Sequence, residues 1–377
     1  MPPRTEHETS RHARHDRTIL VLQGGGALGA YQAGVYEALH DAGLAPEWVT
    51  GVSIGAINGA LIAGNRLPDR IARLRQFWDR VSSGFTFAAP APYDPWRLAF
   101  SQLSSTATAV FGVPGFFVPR APLALVVPSS APGAGSLYDA SPLRDTLLEL
   151  VDFDLINSRA GRLSVGTVNV QTGNSVYFDS NDSALVMGSE HIMASAALPP
   201  GFAPVRIAGG WYWDGGLASN TPLWYVLDDS PRLNALILQV DLFSARGPTP
   251  HSLDQALERA KDIQYSSKTR FNTTRARDEE ALRQALRSVI RRLPARLRND
   301  ASVKVLAERA HGRHVSLVHL VNRRSTWSSQ AKDYDFSRSN VRTLWHAGHV
   351  DMRRTMANPE WRRARTAKEG MQTFDLL

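Results

Sequence analysis

Two glycine-framed segments hold the side chains and amides best suited to chemistry. Gly51-Val52-Ser53-Ile54-Gly55 has the spacing G-x-S-x-G. In that spacing a serine sits on a sharp turn between strand and helix, and small flanking residues leave room for the strained backbone. A strand pattern ends here and a helix pattern begins, which sets the hydroxyl at a helix N-terminus whose dipole favours negative charge. A serine that merely caps a helix is the plainer alternative. Nearer the start, Gly24-Gly25-Gly26 can offer several backbone N–H groups with no side chains in the way, as an oxyanion formed in acyl transfer requires. Gly24, Gly26 and Gly29 also satisfy G-x-G-x-x-G, the spacing of a dinucleotide-binding turn. That reading needs an acid at the end of the second strand, but Glu47 precedes the strand, and its end carries Gly51 to Gly55.

An activated serine needs a base. In the order Ser, acid, His used by α/β hydrolases, Asp214 could be followed by His251, His311, His314, His319, His346 or His349, so order alone leaves a triad open. The serine falls only two strands into the chain, earlier than such an elbow would stand. The histidines are therefore read as surface or structural residues.

The elements that must hold these groups alternate. Thr18 to Leu22 is a short β-rich run ending at the glycines, and Tyr31, Val35 and Leu39 then repeat at helical spacing. Trp48 to Val52 gives a second strand and Ile54 to about Ala63 a small-residue helix. This β-α-β-α alternation predicts a parallel sheet covered on both faces. Helices are predicted at Asp69 to Val81, Pro142 to Val151 and Leu185 to Ala197, and strands at Leu163 to Val170, near Tyr177, at Ala235 to Leu242 and at Val315 to Val321. From Gly84 to Gly135 periodicity fails amid prolines and glycines, which reads as an irregular insertion. Beyond a boundary near Pro248 the texture turns Arg-rich and helical from Ser252 to about Ala310, and a last helix is predicted from Ser339 to about Met356.

Composition sets the outer limits. The 377 residues exceed one typical domain, and 43% hydrophobic with 21% charged residues supports a packed core. With no cysteine, disulfides, thiolate metal sites and a Cys nucleophile are excluded. The net charge of +8 favours anionic partners such as acidic lipid surfaces, fatty-acid products or nucleic acid. Arginine supplies nearly all of it, since Lys261, Lys268, Lys304, Lys332 and Lys368 are the only lysines, so genome composition explains the bias equally well. Met1 to Arg17 is polar and reads as a disordered basic tail rather than a signal peptide or anchor. The most apolar region, Ala107 to Val127, is broken by Pro114, Pro119, Arg120 and Pro122, short of the roughly 18 apolar residues a spanning helix needs.

Taken together, Gly24-Gly25-Gly26-Ala27-Leu28-Gly29, Gly51 to Gly55 and Asp214-Gly215-Gly216 resemble the three signature blocks of patatin-like phospholipases. The likeness spans roughly Thr18 to Leu227, and the stretch from Ala194 to Leu223 carries it well beyond the Asp-Gly-Gly triplet. It implies an α/β, three-layer fold with a mostly parallel central sheet flanked by helices. It also implies a Ser–Asp dyad without histidine: Ser53 as nucleophile, Asp214 as base, the Gly24, Gly25 and Gly26 amides as oxyanion hole, and Gly29, Gly51, Gly55, Gly215 and Gly216 supporting the motifs. No metal and no cofactor is expected. Leu28 stands where many relatives carry Arg or Lys, which implies an altered head-group preference. Ser252 to Leu377 is similar to an extension found on some bacterial patatin-like proteins, notably over residues 328–351.

The expected organisation is a tail at 1–17, a patatin-like catalytic domain at 18–228 with the insertion at 84–135, and a last core strand plus mainly helical, Arg-rich extension at 229–377. The expected function is a serine lipid acyl hydrolase, of phospholipase A or esterase type, acting on an acyl-ester lipid. Neutral lipids or storage polyesters are the alternative substrates, and a non-catalytic basic protein binding membrane or nucleic acid is the remaining alternative. No nucleic-acid motif appears beyond charge, so nucleic acid is not an expected partner. The expected location is cytoplasmic, with peripheral contact at an anionic membrane surface. Val110, Phe111, Phe116, Phe117, Leu123, Leu125 and Val126 of the insertion suit a lid, an interfacial wedge or a segment packed over the core. Arg283, Arg287, Arg291, Arg292, Arg296 and Arg298 suit either anionic head groups or a solvated helix face. Trp211, Tyr212 and Trp213 could wall an acyl site but are read first as core packing, and Asn58 as steadying the helix after the elbow or lying on its surface.

Overall fold

Apolar side chains alternate along the central strands and feed two separate cores. Along β1 (Arg17–Leu22), Leu20 and Leu22 enter the larger core with α1 (Ala30–Asp41), α2 (Ile54–Ala63) and α3 (Arg70–Val81). Ile19 and Val21 point the other way, into a core with Trp48, Leu223 and Val226. A sheet buried on both faces reads as continuous hydrophobic strands, which is why TILVL and ALILQV carry no polar alternation. The computed structural model describes residues 15–87, 96–120, 136–229, 233–266, 269–310, 314–323, 332–366 and 370–376.

The remaining strands are β2 (Trp48–Val52), β3 (Val118–Pro119), β4 (Tyr138–Asp139), β5 (Arg162–Asn169), β6 (Ser175–Asp179), β7 (Val205–Ile207), β8 (Gly210–Asp214), β9 (Asn234–Asp241), β10 (His314–Val321) and β11 (Gly370–Asp375). Of the eleven strands among the described residues, nine form one sheet in the order β11-β10-β9-β1-β2-β5-β8-β7, with β6 also on β5. Strands β11 through β5 run parallel, and β6, β7 and β8 pair antiparallel. The helices used below are α4 (Trp96–Phe111), α5 (Ser141–Leu150), α6 (Ser189–Ser195), α7 (Leu253–Tyr265), α8 (Thr269–Arg292), α9 (Ala301–Arg309) and α10 (Arg338–Ala357). The expected three-layer, mostly parallel α/β architecture is thus present.

Several elements differ from the sequence expectation. The stretch 84–135 is not irregular throughout: α4 fills the run between Pro95 and Gly112, which contains neither proline nor glycine. The many breakers lie outside that run. Leu123, Leu125 and Val126 lie outside the described residues. Phe116 and Phe117 are buried in the larger core, whereas Val110 and Phe111 are exposed. The helix predicted at Leu185 to Ala197 is confined to α6, because Gly188 takes its N-cap position. The tail expected at 1–17 lies outside the described residues up to position 14. Its end does not hang free, since β1 begins at Arg17 and the His15 ring bonds Asn234 and Ser316, each at 3.0 Å.

The extension adds to the sheet as well as to the helices. β9, β10 and β11 carry the parallel sheet across the boundary expected at 228/229, and α10 lies on α1. There, a Cβ on Gly34 would overlap the Trp345 carbonyl, and one on Gly348 the Tyr31 carbonyl. Tyr31 donates to Asp351 at 3.0 Å and Trp345 to Glu37 at 2.6 Å across the same contact. Gly348→Ala should therefore push the helices apart and lower stability by roughly 1–3 kcal/mol, read as a lower melting temperature. An unchanged melting temperature would mean that α10 is not tightly seated.

Candidate active site

Strand register brings Ser53 and Asp214 together. β2 pairs with β5 up to Val52↔Gly166 and stops there, while β5 runs on to Asn169. β8 enters antiparallel on the edge that β2 vacates, pairing Thr167↔Asp214, so Ser53 after Val52 meets Asp214 at the end of β8. The site therefore opens at the C-terminal ends of the parallel strands, where ligands enter open α/β sheets.

Ser53 occupies φ 57°, ψ −126°, a conformation that residues with a Cβ rarely adopt. Gly51 and Gly55 permit this bend, since a Cβ on Gly51 would overlap the Gly55 carbonyl, and one on Gly55 the Leu22 carbonyl. Ser195 Oγ accepts from the Ser53 amide at 3.0 Å and donates to the Gly166 carbonyl at 2.7 Å, tying the bend to β5. Asp214 is 1% exposed. Burial pushes its carboxyl up to about 7, against the opposing pull of the Gly216 amide, which donates to Oδ1 at 2.7 Å, and of a hydrogen bond from the Ser53 side chain. Among the described residues no histidine acts on it. His251 and His346 are exposed, His349 contacts Asp41 at 3.3 Å, His314 and His319 lie in β10, and His311 lies outside the described residues.

Gly24 lies against Ser53, with the place of its missing Cβ 3.0 Å from the serine Cβ. Its amide donates to the Asn220 carbonyl at 3.2 Å and its carbonyl accepts from Asn220 Nδ2 at 3.1 Å. Of the three glycine amides, those of Gly25 and Gly26 have no acceptor among the described residues, so the Gly24 amide is the one already engaged. Gly29 packs against Ile54, Gly215 against the Gly166 carbonyl, and Leu28 is buried in the core.

A chain of buried amides supports this loop. Gln23 Oε1 accepts from the Leu242 and Phe243 amides at 2.6 and 2.9 Å, and Gln32 donates to the Gln23 carbonyl at 2.6 Å. Asn58 is not on a helix surface: it is fully buried, donates to the Gly29 carbonyl and Gln32 at 3.0 Å each, and accepts from Trp78 at 3.1 Å. Sequence reasoning did not single out Gln23, Gln32, Ser195 or Asn220. The available signal was a polar residue inside an otherwise apolar run, as with Gln23 directly after TILVL. Trp211, Tyr212 and Trp213, expected in the core, are instead half-buried along β8, because this short antiparallel strand lies near the sheet edge.

Cavities border the 193–205 segment, which packs against the Asp214 amide. One of about 650 Å³ is lined by residues including Ala109, Leu137, Tyr138, Leu198, Pro200 and Tyr334. It approaches the site through Leu198, which follows the carbonyl of Ala197 that accepts the Asp214 amide at 3.0 Å. A smaller one of about 270 Å³ lies beside Phe116, Arg144 and Phe202. Among the described residues no cluster of three or more His, Cys, Asp or Glu could hold a metal ion.

The patatin-like phospholipase family model matches residues 20–227, over half of the chain, and the chain belongs to that family. A second model, described as patatin phospholipase, matches residues 263–368 in the extension. Among curated relatives, lysophospholipase nte1 of Aspergillus terreus is 43% identical over 88 residues, covering 23% of this chain and 6% of its own length. Triacylglycerol lipase ptl3 of Schizosaccharomyces pombe is 39% identical over 75 residues, 20% of this chain and 16% of its own. The aligned part is thus a small fraction of each relative. The solved structure of VipD from Legionella pneumophila aligns over 90% of this chain and 66% of its own, at 15% identity and a TM-score of 0.35.

A carboxyl held protonated to about pH 7 makes folding take up a proton between its ordinary value of 3.8 and about 7. Stability from this group is full below the lower value and lost as pH rises through the upper one. At roughly 1.4 kcal/mol for each tenfold change in proton affinity, the cost above pH 7 is at most on the order of 4 kcal/mol. Asp214→Asn should therefore melt higher than the parent at pH 8 and nearly with it at pH 4. Equal melting temperatures at both pH values would show that the carboxyl is not desolvated.

Proposed function

We propose that this protein is a serine lipid acyl hydrolase of phospholipase A or esterase type that uses Ser53 and Asp214. The observation that carries the reading is a buried carboxyl, pushed up to about 7, hydrogen-bonded to a serine on a strained elbow with no imidazole among the described residues acting on it. An exposed aspartate is too weak a base for a hydroxyl at neutral pH, and desolvation removes most of that handicap.

In the proposed reaction Asp214 takes the Ser53 proton as Oγ attacks the ester carbonyl carbon. The carbonyl oxygen becomes an oxyanion facing the Gly25 and Gly26 amides. As the tetrahedral intermediate collapses, the alcohol leaves with the proton from Asp214 and Ser53 stays acylated. Water, deprotonated by Asp214, then attacks the acyl-enzyme, releasing the fatty acid and returning the proton to Ser53. Gly24 shapes the loop rather than donating, since its amide is engaged with Asn220. The relatives whose names are lysophospholipase and triacylglycerol lipase support a lipid ester as substrate. The 650 Å³ cavity beside Leu198 is the proposed seat of the acyl chain.

Membrane contact is proposed as peripheral. Among the described residues no helix is long and apolar enough to cross a membrane. Arg291, Arg292, Arg296 and Arg298 are exposed and suit anionic head groups, whereas Arg283 and Arg287 pair with Glu279 and Glu280.

Hydrolysis of a chain-length series of esters and of phospholipid vesicles tests the reading. Ser53→Ala and Asp214→Asn should each lose activity by about 10⁴-fold or more, as removal of a catalytic dyad member does elsewhere. The kcat/KM of the parent should fall as pH drops through about 7, because the base is then protonated. Full activity in either variant would remove the dyad. Ala109→Trp, which fills the larger cavity, should spare short esters and depress long ones at least about tenfold. An unaltered chain-length profile would place the acyl chain elsewhere.

A further inference from the structure

Each residue of the glycine loop is held by the extension or by a group that the extension holds. Asn220, which hooks Gly24, also donates to the Tyr265 carbonyl at 3.0 Å, and Gln23 Nε2 donates to the same carbonyl at 3.1 Å. Gly25 packs on Leu242 and Phe243, whose ring centre lies 5.6 Å from that of Tyr265. Gly26, at φ +53°, faces the Asp333 carbonyl so closely that a Cβ would overlap it. Tyr265 is the last residue of α7, and Asp333 lies in the short turn Lys332–Tyr334.

These two extension segments are far apart in sequence and are joined by crossed ion pairs. Lys261 of α7 donates to Asp333 at 2.5 Å. Lys332 of the turn reaches back to Glu258 and Asp262 of α7, at 3.1 and 2.7 Å. Lys332 is 9% exposed, and its ammonium lies 5.9 Å from the centre of the Phe243 ring. Two of the five lysines in the chain serve this one junction. Ion pairs this shielded are costly to break from one side, because the partner charge is left buried without compensation.

We propose that Lys332 and Lys261, with their partners Glu258, Asp262 and Asp333, are positioning residues of the oxyanion site: they lock α7 to the 332–334 turn and thereby fix the Gly25 and Gly26 amides. The proposal rests on the hydrolase reading for its catalytic consequence. Amides aimed at an oxyanion accelerate acyl transfer only while their direction is fixed in advance. The extension forms a wall of the active site, reaching the glycine loop through Tyr265 and Asp333 and the cavity proposed for the acyl chain through Tyr334.

The test compares Lys332→Met, Lys332→Arg and Lys261→Met with the parent on a short soluble acyl ester, alongside hydrogen exchange of the amides in residues 20–32. Lys332→Met should lower kcat by about 10- to 100-fold with KM nearly unchanged, in line with misplaced rather than missing donors. Lys332→Arg, which keeps the charge, should recover most of kcat. Exchange at the Gly24 and Leu28 amides, which are hydrogen-bonded to the Asn220 and Gly25 carbonyls, should speed up in Lys332→Met whether or not an ester is cleaved. Parental kcat and parental exchange in both Met variants, or a loss expressed only in KM, would overturn the proposal. Should Lys332→Met fail to fold, Lys261→Met, at a more exposed position, carries the same comparison. A parent that cleaves no ester would count against the hydrolase reading, and the exchange data would still decide whether these lysines fix the loop.

Discussion

The Asp214 carboxyl is removed from water at the end of a short antiparallel strand, with the Gly216 amide and the Ser53 hydroxyl as its hydrogen-bond partners. A charge placed there destabilises the fold at alkaline pH, and in the proposed reaction that cost is what makes the group a usable base. The surrounding structure holds the carboxyl in this position. β8 can reach Ser53 only because β2 stops at Val52 while β5 continues, and Gly215 can turn away only because its missing Cβ leaves room for the Gly166 carbonyl. Ser195 then binds the serine backbone to the same Gly166 carbonyl, so nucleophile and base share one anchor on β5.

The glycine loop poses the complementary problem. It must keep two amides unpaired on half-buried residues, where unpaired donors cost more than in open solvent. The other backbone groups of the loop are satisfied instead: the Asn220 main-chain carbonyl accepts the Gly24 amide, the Asn220 side chain donates to the Gly24 carbonyl, and Gln32 donates to the Gln23 carbonyl. The network ends on the Tyr265 carbonyl, outside the segment matched by the patatin-like phospholipase family model. Since β10 and β11 extend the same sheet and α10 zips onto α1, the extension and the catalytic segment form one packed body around the site.

Much of this was legible in the sequence because it is local. Glycine spacing and the change from strand to helix period placed Ser53 and the glycine loop between the correct elements, and the first two strands and helices lie within a few residues of their expected limits. What escaped depends on distant partners. The β7–β8 hairpin is defined by its register on β5, and GGWYWDGG offers no period long enough to announce it. β11 is similarly short and gains its identity from β10. α4 was hidden by averaging across prolines that flank it. The Tyr265 and Asp333 contributions come through backbone carbonyls, which any residue type possesses, so no side-chain pattern could reveal them. Asn220 and Ser195 are ordinary polar residues until the fold brings them to the loop.

The most direct test of the account is to treat the protein with a fluorophosphonate acyl-ester mimic across about pH 5 to 9 and to locate the adduct by mass spectrometry. A single adduct on Ser53 is expected, forming at a rate that rises with pH through about 7 as Asp214 ionises. Labelling on another residue, or at Ser53 with a rate indifferent to pH across that range, would contradict it.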